Sequence, residues 1–249
     1  MDRTLIVLPT YNEAKNIPQL VAELRKAVPD ADLLIVDDAS PDGTGAVADG
    51  LAARDPKVKA AHRSGKLGLG TAHVFGLDAA VEGGYRYVCT MDCDFTHKPE
   101  DVPRLLAKIQ ETGADLVIGS RYSHPHGIAD WPLWRRGVTR TAHFLTQTLL
   151  GIPHDATNAF RVFQVESLRR VPYREVKGDG YSFMFELVFA CLQAGLRVVE
   201  VPVELPVRQF GDSKISKAEI LKAILALMRL SVLRVTSPRR PAPEALPKR

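Results

Sequence analysis

Two carboxylates separated by one residue, Asp92 and Asp94, give the clearest chemical signal in the sequence. They follow residues 85–90, an apolar run of strand type, and precede residues 98–101, whose proline and acids predict the start of a helix. In open α/β sheets, ligands bind beyond the carboxyl ends of the strands. On a regular strand, residues two apart point to the same side, so both acids would face one Mg²⁺ or Mn²⁺ ion. The alternative is a pair of solvated acids in a turn.

The size and composition of the chain narrow its class. A chain of 249 residues with 45% hydrophobic and 25% charged residues is typical of one soluble α/β domain. A net charge of +4 favours anionic ligands or an acidic membrane surface, although solvated lysines alone give the same balance. We expect no nucleic-acid partner, because no basic stripe interleaved with aromatic residues occurs.

The cysteines and the N-terminal residues indicate the cellular compartment that we expect for the protein. The three cysteines form no C-x-x-C pair and no zinc set, so they are expected to be reduced, as in a cytosolic protein. A strand begins within a few residues of the N-terminus, so no signal peptide is expected. No apolar run reaches the roughly 18 residues that a membrane-spanning helix needs.

Segments of strand and helix type alternate along the first half of the chain. Strand-type runs lie at residues 3–8, 32–37, 57–62, 85–90 and 115–119, and helical patterns separate them. This alternation predicts parallel strands joined by right-handed crossovers. The loops at 9–13, 37–42 and 92–97 each follow a strand, so they should meet at one edge of the sheet.

After residue 119 the alternation stops. The later pattern predicts helices at 141–150, 183–194 and 216–235, an irregular stretch at 155–163 and a strand at 197–205. Residues 236–249 are rich in proline and are expected to form a disordered tail.

The glycine pattern argues against a dinucleotide oxidoreductase. Such an enzyme needs G-x-G-x-x-G in its first strand-to-helix turn, where this chain has Pro-Thr-Tyr-Asn-Glu at residues 9–13. The glycines at residues 65–70 follow the third strand instead. They either expose backbone N–H groups at a helix start or merely permit a tight turn.

Two acids that follow the second strand indicate where a nucleoside could bind. Asp37 or Asp38 is well placed to accept hydrogen bonds from a base or a ribose. With Asp92 and Asp94, this suggests a nucleoside diphosphate held through a metal that neutralises the diphosphate as it departs. That chemistry is typical of sugar transfer.

A series of short motifs resembles glycosyltransferase family 2 and, within it, the polyprenyl-phosphate (dolichol-phosphate) mannose synthases. In order, the motifs are LPTYNE ending at Glu13, VDDASPDGT ending at Thr44, KLGLGTA ending at Ala72, MDCDFTH ending at His97, GSRY ending at Tyr122, WRRGVTR ending at Arg140, AFR ending at Arg161 and RQFGDSK ending at Lys214. Each is weak alone, and the ordered series across residues 5–235 carries the resemblance.

The resemblance implies a GT-A fold, a Rossmann-like, mostly parallel sheet flanked by helices. It implies one catalytic domain at 1–235, with a nucleotide-binding half at about 1–120 and an acceptor half at about 121–235. The implied reaction moves mannose from GDP-mannose to a polyprenyl monophosphate with inversion. Two rivals stay open, a related enzyme that uses UDP-glucose or another sugar nucleotide, and a non-catalytic module that binds nucleotide sugars.

On the donor side, the resemblance implies guanosine contacts from Pro9, Tyr11, Glu13, Val36 and Asp38. Core packing is the alternative for Tyr11, and a place at a helix start is the alternative for Glu13.

The resemblance further implies that Asp92 and Asp94 bind the donor and a divalent cation, Mg²⁺ or Mn²⁺, with the backbone of Cys93 nearby. Thr96 would add a metal contact, although the family often has Gln or Ser there. His97 is expected to fix the loop.

On the acceptor side, Arg121, Arg135 and Thr139 would bind the lipid phosphate, since guanidinium groups match phosphate oxygens. For Arg135 the alternative is a solvated helix face. Arg208 and Lys214 would close over the diphosphate, so the implied catalytic set is Asp94, Arg121, Arg208 and Lys214. Departures from the family at residues 158, 159 and 184 leave the acceptor details and the sugar in question.

A polyprenyl acceptor implies contact with a membrane surface. Residues 216–235 are predicted to form either an interfacial amphipathic helix or a helix docked on the core. We expect peripheral association at the cytoplasmic face, with or without a membrane-anchoring protein. A phosphate acceptor is largely dianionic at neutral pH, so no general base is required.

Overall fold

The computed structural model describes residues 3–178, 180–206 and 217–236. The strands are β1 (Thr4–Thr10), β2 (Asp32–Asp37), β3 (Val58–His62), β4 (Tyr87–Thr90), β5 (Leu116–Ser120), β6 (Arg161–Gln164) and β7 (Val198–Pro202). The helices are α1 (Ile17–Ala27), α2 (Thr44–Ala52), α3 (Leu69–Glu82), α4 (Val102–Thr112), α5 (Leu133–Leu150), α6 (Val165–Leu168), α7 (Tyr181–Gln193) and α8 (Lys217–Thr236). Short 3₁₀ turns precede α4 at Pro99–Asp101 and α7 at Tyr173–Glu175.

The strands form one sheet in the order β3-β2-β1-β4-β6-β5-β7. All neighbouring pairs are parallel except the two that involve β6, which runs antiparallel to β4 and to β5. The carboxyl ends of β1, β2, β4 and β5 and the amino end of β6 therefore lie at the same edge. The predicted α/β fold with a mostly parallel sheet is confirmed.

Two apolar cores hold the helices against the sheet. On one face, residues of α3 and α7 pack against alternate residues of the strands, with α8 in the same core outside them, and on the other face those of α1 and α4 do so. This alternation follows from the two-residue period of a strand. The approach of α3 is close, because a Cβ at Gly76 would lie 2.2 Å from Cγ1 of Val7.

Helix α8 docks on α5 and α7 through one face and exposes the other. Ala226, Leu227 and Leu230 are buried in the core. The Arg229 guanidinium pairs with the buried Glu186 of α7, and Arg234 donates to the last carbonyls of α5. The exposed face carries further large apolar side chains, Leu221, Leu225, Met228, Val232 and Val235. The helix is thus docked on the core through one apolar face and exposes a second set of apolar side chains to solvent.

The larger differences from the sequence prediction concern α5, β6 and β7. Helix α5 begins at Leu133 and not at residue 141. Its first two turns carry their apolar side chains on the exposed face, so the sequence there does not show the helical spacing of buried apolar residues. Strand β6 overlaps the end of the stretch at 155–163 that was predicted to be irregular, because its four residues are too few to show a period. The strand expected at 197–205 is shorter, because pairing with β5 ends at Pro202.

No helix among residues 3–178, 180–206 and 217–236 is long and apolar enough to cross a membrane. The predicted lid with Arg208 and Lys214, and the proline-rich tail from residue 237, lie outside the described residues.

Candidate active site

The acidic pair lies in a turn beyond β4. Strand β4 ends at Thr90, so the strand alternation expected for Asp92 and Asp94 does not extend to them. The Asp92 side chain is 35% exposed, whereas Asp94 is 3% exposed. Oδ1 of Asp94 accepts hydrogen bonds from the Thr96 amide at 3.0 Å and the Thr96 hydroxyl at 2.6 Å. This local turn, with Phe95 at φ 61°, orients the carboxylate.

His97 holds the acidic loop in place. Its Nδ1 accepts the Asp92 amide hydrogen at 2.8 Å, so the neutral ring carries its proton on Nε2 and donates it to Oδ1 of Asn158 at 2.7 Å. The ring also stacks on Phe160 with centroids 5.0 Å apart. Asn158 in turn donates to the carbonyl of Gly119 at the end of β5. The imidazole therefore links the ends of β4 and β5.

The two carboxylates fit a cation only together with a ligand. Among the residues that the structure describes, no group of three or more His, Cys, Asp or Glu side chains could hold a metal. Mg²⁺ in proteins usually binds one or two carboxylates and completes its shell with water and substrate phosphates. Oxygen donors from Asp92 and Asp94 suit that arrangement, and the Thr96 hydroxyl is turned towards Asp94.

The loops after β1 and β2 are bound to each other. The amides of Asn12, Glu13 and Ala14 donate to side chains of the second loop, Ser40, Thr44 and Asp42 respectively. Burial is the largest single effect on Asp42 and raises its pKa, but the hydrogen bonds from Thr44 and Ala14 together outweigh it and lower the pKa. The two loops thus form one rigid unit at the predicted nucleoside side of the site.

Asp38 already has several partners in this structure. Its Oδ1 lies 2.7 Å from Nη1 of Arg63, and its Oδ2 accepts the amide hydrogens of Leu67 and Gly68 at 3.1 Å each. Burial raises the pKa of Asp38, against the lowering effect of Arg63. The glycine loop therefore directs two of its amides to Asp38, which favours the tight-turn alternative for that loop.

The remaining predicted donor residues line the same edge. Tyr11 is half-buried, and Nζ of Lys66 lies 4.2 Å from the centroid of its ring. Glu13 accepts a hydrogen bond from the Asn16 side chain at 2.6 Å, just before α1 begins. Val36, Pro9 and Cys93 are buried behind them. Their roles towards a nucleotide stay predictions.

Arg121 forms a buried ion pair at the end of β5. Its Nε and Nη2 each lie 2.8 Å from the carboxylate of Asp155, which is 0% exposed. Nη2 also donates to the hydroxyl of Thr157. Burial opposes the charged forms, but the pair raises the pKa of Arg121 and lowers that of Asp155, so both are charged at neutral pH.

Helix α5 brings a second guanidinium to this pair. Both Arg121 and Arg135 lie over the ring of Trp131, at 5.8 Å and 3.8 Å from its centroid. The Tyr122 hydroxyl donates to the carbonyl of Thr139 at 2.9 Å, which ties α5 to the loop after β5. The three residues predicted to bind the acceptor phosphate are thus joined through Trp131 and Tyr122.

Sequence reasoning did not assign four residues that shape the site, Arg63, Trp131, Asp155 and Asn158. Asp155 and Asn158 lie in the stretch predicted to be irregular, and an acid three residues before an Asn was the available signal. Arg63 and Trp131 show no motif. Only the folded chain reveals that they support Asp38 and Arg121.

His73 of α3 gives a pH prediction. It is 2% exposed, and burial lowers its pKa to about 3, with Arg161 adding to the effect. The unfolded chain binds this proton near pH 6.5, so the stability tied to neutral His73 is complete above that pH and falls by about 1.4 kcal/mol per pH unit below it. In His73→Gln, urea unfolding between pH 6 and 4 should show a slope shallower by that amount. Parallel slopes would contradict it.

The chain is similar to known proteins over most of its length. The profile described as glycosyl transferase family 2 matches residues 5–171. The chain is 42% identical over 225 residues to the polyprenol monophosphomannose synthase of Mycolicibacterium smegmatis, covering 89% of this chain and 84% of that protein. It is 39% identical over 228 residues to the undecaprenyl-phosphate mannosyltransferase of Micrococcus luteus, covering 91% of this chain and 93% of that protein.

A solved structure shares the fold. Glucosyl-3-phosphoglycerate synthase from Mycobacterium tuberculosis, solved with Mn²⁺, uridine diphosphate and phosphoglyceric acid, has a TM-score of 0.70 at 20% identity and covers 92% of this chain and 78% of its own. The sheet is thus of the GT-A glycosyltransferase type. Because the family profile matches residues 5–171 and two relatives are 42% and 39% identical over most of the chain, the chain belongs to glycosyl transferase family 2.

Proposed function

We propose that this glycosyltransferase moves mannose from GDP-mannose to a polyprenyl monophosphate and inverts the anomeric carbon. One observation carries the proposal. The acidic turn of Asp92 and Asp94 and the guanidinium groups of Arg121 and Arg135 lie at the same edge of the sheet. An edge with acids beside arginines suits a reaction that brings two phosphate groups together. The names of the two curated relatives supply the class of acceptor and the sugar.

The first half of the domain would bind the donor. The unit formed by the loops after β1 and β2 would hold the guanosine through Pro9, Tyr11, Glu13, Val36 and Asp38. Asp38 would then have to share its carboxylate between Arg63 and the nucleoside. Asp92 and Asp94, with the backbone of Cys93, would hold a divalent cation that neutralises charge on the diphosphate, and Thr96 would orient Asp94.

The second half would bind the acceptor. Arg121, Arg135 and Thr139 would hold the lipid phosphate near the anomeric carbon, and Arg208 and Lys214 would face the departing diphosphate. A phosphate monoester is mostly dianionic at neutral pH, so it attacks without a general base. The task of the side chains is then alignment and charge stabilisation, and in-line attack yields a β-linked product from an α-linked donor.

A donor experiment tests the nucleotide. GDP-mannose and UDP-glucose, each labelled in the sugar, are offered separately with farnesyl phosphate and Mn²⁺. We expect label in the lipid fraction from GDP-mannose, with GDP as the stronger competitor. If sugar is transferred from UDP-glucose alone, the family assignment stands but the proposal that GDP-mannose is the donor is wrong.

The exposed faces of α5 and α8 support docking at a membrane surface. The apolar side chains on these faces are Leu133, Trp134, Val138, Phe144, Leu221, Leu225, Met228 and Val232. Large apolar side chains exposed on two helices that pack against each other are typical of a site of protein or membrane interaction. Arg135 lies on α5 beside Trp134, so the patch adjoins the proposed phosphate site. The enzyme would work peripherally at the cytoplasmic face, where polyprenyl phosphates present their headgroups.

Charges on the patch should release the enzyme from membranes. Leu225 and Met228 are 57% and 61% exposed, so Leu225→Glu with Met228→Glu should leave the stability unchanged. We expect flotation with phosphatidylcholine–phosphatidylglycerol vesicles to fall at least about tenfold, since each buried CH₂ contributes about 0.8 kcal/mol. Phe75→Glu, an exposed apolar site on α3, is the matched control and should still float. Equal flotation of all three proteins would exclude this surface.

A further inference from the structure

Arg161 is a buried charge without a carboxylate of its own. It is the first residue of β6 and is 1% exposed. Its Nη2 donates to the carbonyl of Ala156 at 2.7 Å, whereas Nε and Nη1 are buried and have no hydrogen-bond partner within the described part of the chain. Burial lowers its pKa to about 10, so the guanidinium is still charged at neutral pH. An unpaired charge in this position costs stability.

The side chains packed around Arg161 carry no counter-charge, and the carboxylates of Asp155 and Asp92 act on it only through space. Its side chain lies on the sheet face covered by α3 and α7, the face of Ala159 and Phe163. Cys191 of α7 remains a neutral thiol, because burial raises its pKa to about 12. His73 of α3 is buried and neutral, and its Nε2 also has no hydrogen-bond partner among the described residues.

Arg161 nevertheless lies directly beneath the proposed site. In the sheet it is paired with Thr90, two residues before Asp92, and with Ile118, three residues before Arg121. Ala156, whose carbonyl it binds, follows Asp155. The charge of Arg121 is balanced by Asp155, and the two acids of the turn repel anions. Arg161 is therefore a positive charge at this edge that no carboxylate of the described residues binds directly, although Asp155 and Asp92 act on it through space.

We propose that Arg161 is a positioning residue that draws phosphate-bearing ligands to the site edge through its field, without contacting them. This rests on the proposed function for the identity of those ligands, which are the diphosphate of the donor or the monophosphate of the acceptor. In a weakly screened interior, an unpaired charge acts over longer distances than a paired one. The buried guanidinium of Arg161 would then lower the stability of the fold and at the same time strengthen anion binding.

The test compares anions with a cation. In Arg161→Met, calorimetry should show about tenfold weaker binding of pyrophosphate and GDP, each with Mn²⁺, or of farnesyl phosphate. Binding of Mn²⁺ alone, followed by electron paramagnetic resonance, should be unchanged or tighter. The free energy of unfolding should be equal to the wild type or higher. Arg161→Lys should restore anion binding, and Arg54→Met, which removes an exposed charge, is the control.

The outcomes separate the possibilities. Weaker pyrophosphate and GDP binding assigns the field to the donor, and weaker farnesyl phosphate binding assigns it to the acceptor. Unchanged anion binding overturns the proposal, as does equal weakening of anions and Mn²⁺ with lower stability, which marks a purely structural role. If Arg161→Met does not fold, Arg161→Gln replaces it, and unfolding of both also overturns the proposal.

The proposed function can fail separately. If UDP binds the wild type and GDP does not, the donor is wrong, and UDP and pyrophosphate still test Arg161. If the wild type binds no nucleotide, pyrophosphate or farnesyl phosphate, the edge has no anion site and the role of Arg161 is overturned.

Discussion

Asp94→Asn is expected to reduce sugar transfer about 10³-fold while the protein stays folded. The amide keeps the size of the side chain and can still accept the hydrogen bonds from Thr96, so the turn survives. What is lost is a negative charge that is 3% exposed and points to the proposed cation site. The measurement is kcat with saturating GDP-mannose and farnesyl phosphate, together with the Mn²⁺ concentration needed for half-maximal rate.

The matched control is Asp130→Asn, which removes an exposed acid outside the site and should leave kcat unchanged. Circular dichroism and the free energy of unfolding of Asp94→Asn should match the wild type. If Asp94→Asn transfers mannose at more than about a tenth of the wild-type rate, Asp94 has no role in the proposed cation site.

The largest effect on stability is expected at Asp155. Asp155→Asn leaves Arg121 charged in a buried site with no counter-charge, which costs about 3–5 kcal/mol. Urea denaturation at pH 7 measures the loss. The double variant Arg121→Met with Asp155→Leu removes both charges, so its free energy of unfolding should lie much closer to the wild type.

The pH dependence of this loss is fixed by the pKa of Asp155. Despite burial, Arg121 lowers that pKa below the value in the unfolded chain, about 3.9. The stabilisation that the charged Asp155 provides is therefore complete above the pKa of the unfolded chain. It disappears only as the pH falls through the lower pKa of the folded protein. Asp155→Asn should be equally destabilised at pH 5.5 and pH 8. If the double variant is as unstable as Asp155→Asn, the loss is one of packing and not of an unpaired charge.

The parallel half of the fold was predictable, because most of its strands are apolar runs that alternate with helical patterns, and a short sequence window reveals both. The central place of β6 was not predictable. Four residues, Arg161–Gln164, form a strand only because β4 and β5 offer edges on both sides. The start of α5 was missed for a related reason, since its first turns expose Trp134 and Val138 and bury no continuous stripe.

The site shows the same division. Asp92, Asp94, Arg121 and Arg135 were singled out from the sequence by their residue types and motif positions, and their roles stay predictions. Their partners were not, because Asp155 meets Arg121 across 34 residues and His97 meets Asn158 across 61. Contacts of that span depend on the tertiary fold. The roles expected of Arg208 and Lys214 stay predictions.

The most direct test is transfer itself. Purified enzyme is incubated with labelled GDP-mannose, farnesyl phosphate and Mn²⁺, and the lipid product is isolated and its anomeric configuration determined by NMR. We predict a β-linked mannosyl phosphate, lost on addition of EDTA and restored by Mn²⁺. An α-linked product would contradict inversion. Absence of any labelled lipid with an enzyme that still binds GDP and farnesyl phosphate would contradict mannosyl transfer to polyprenyl phosphate.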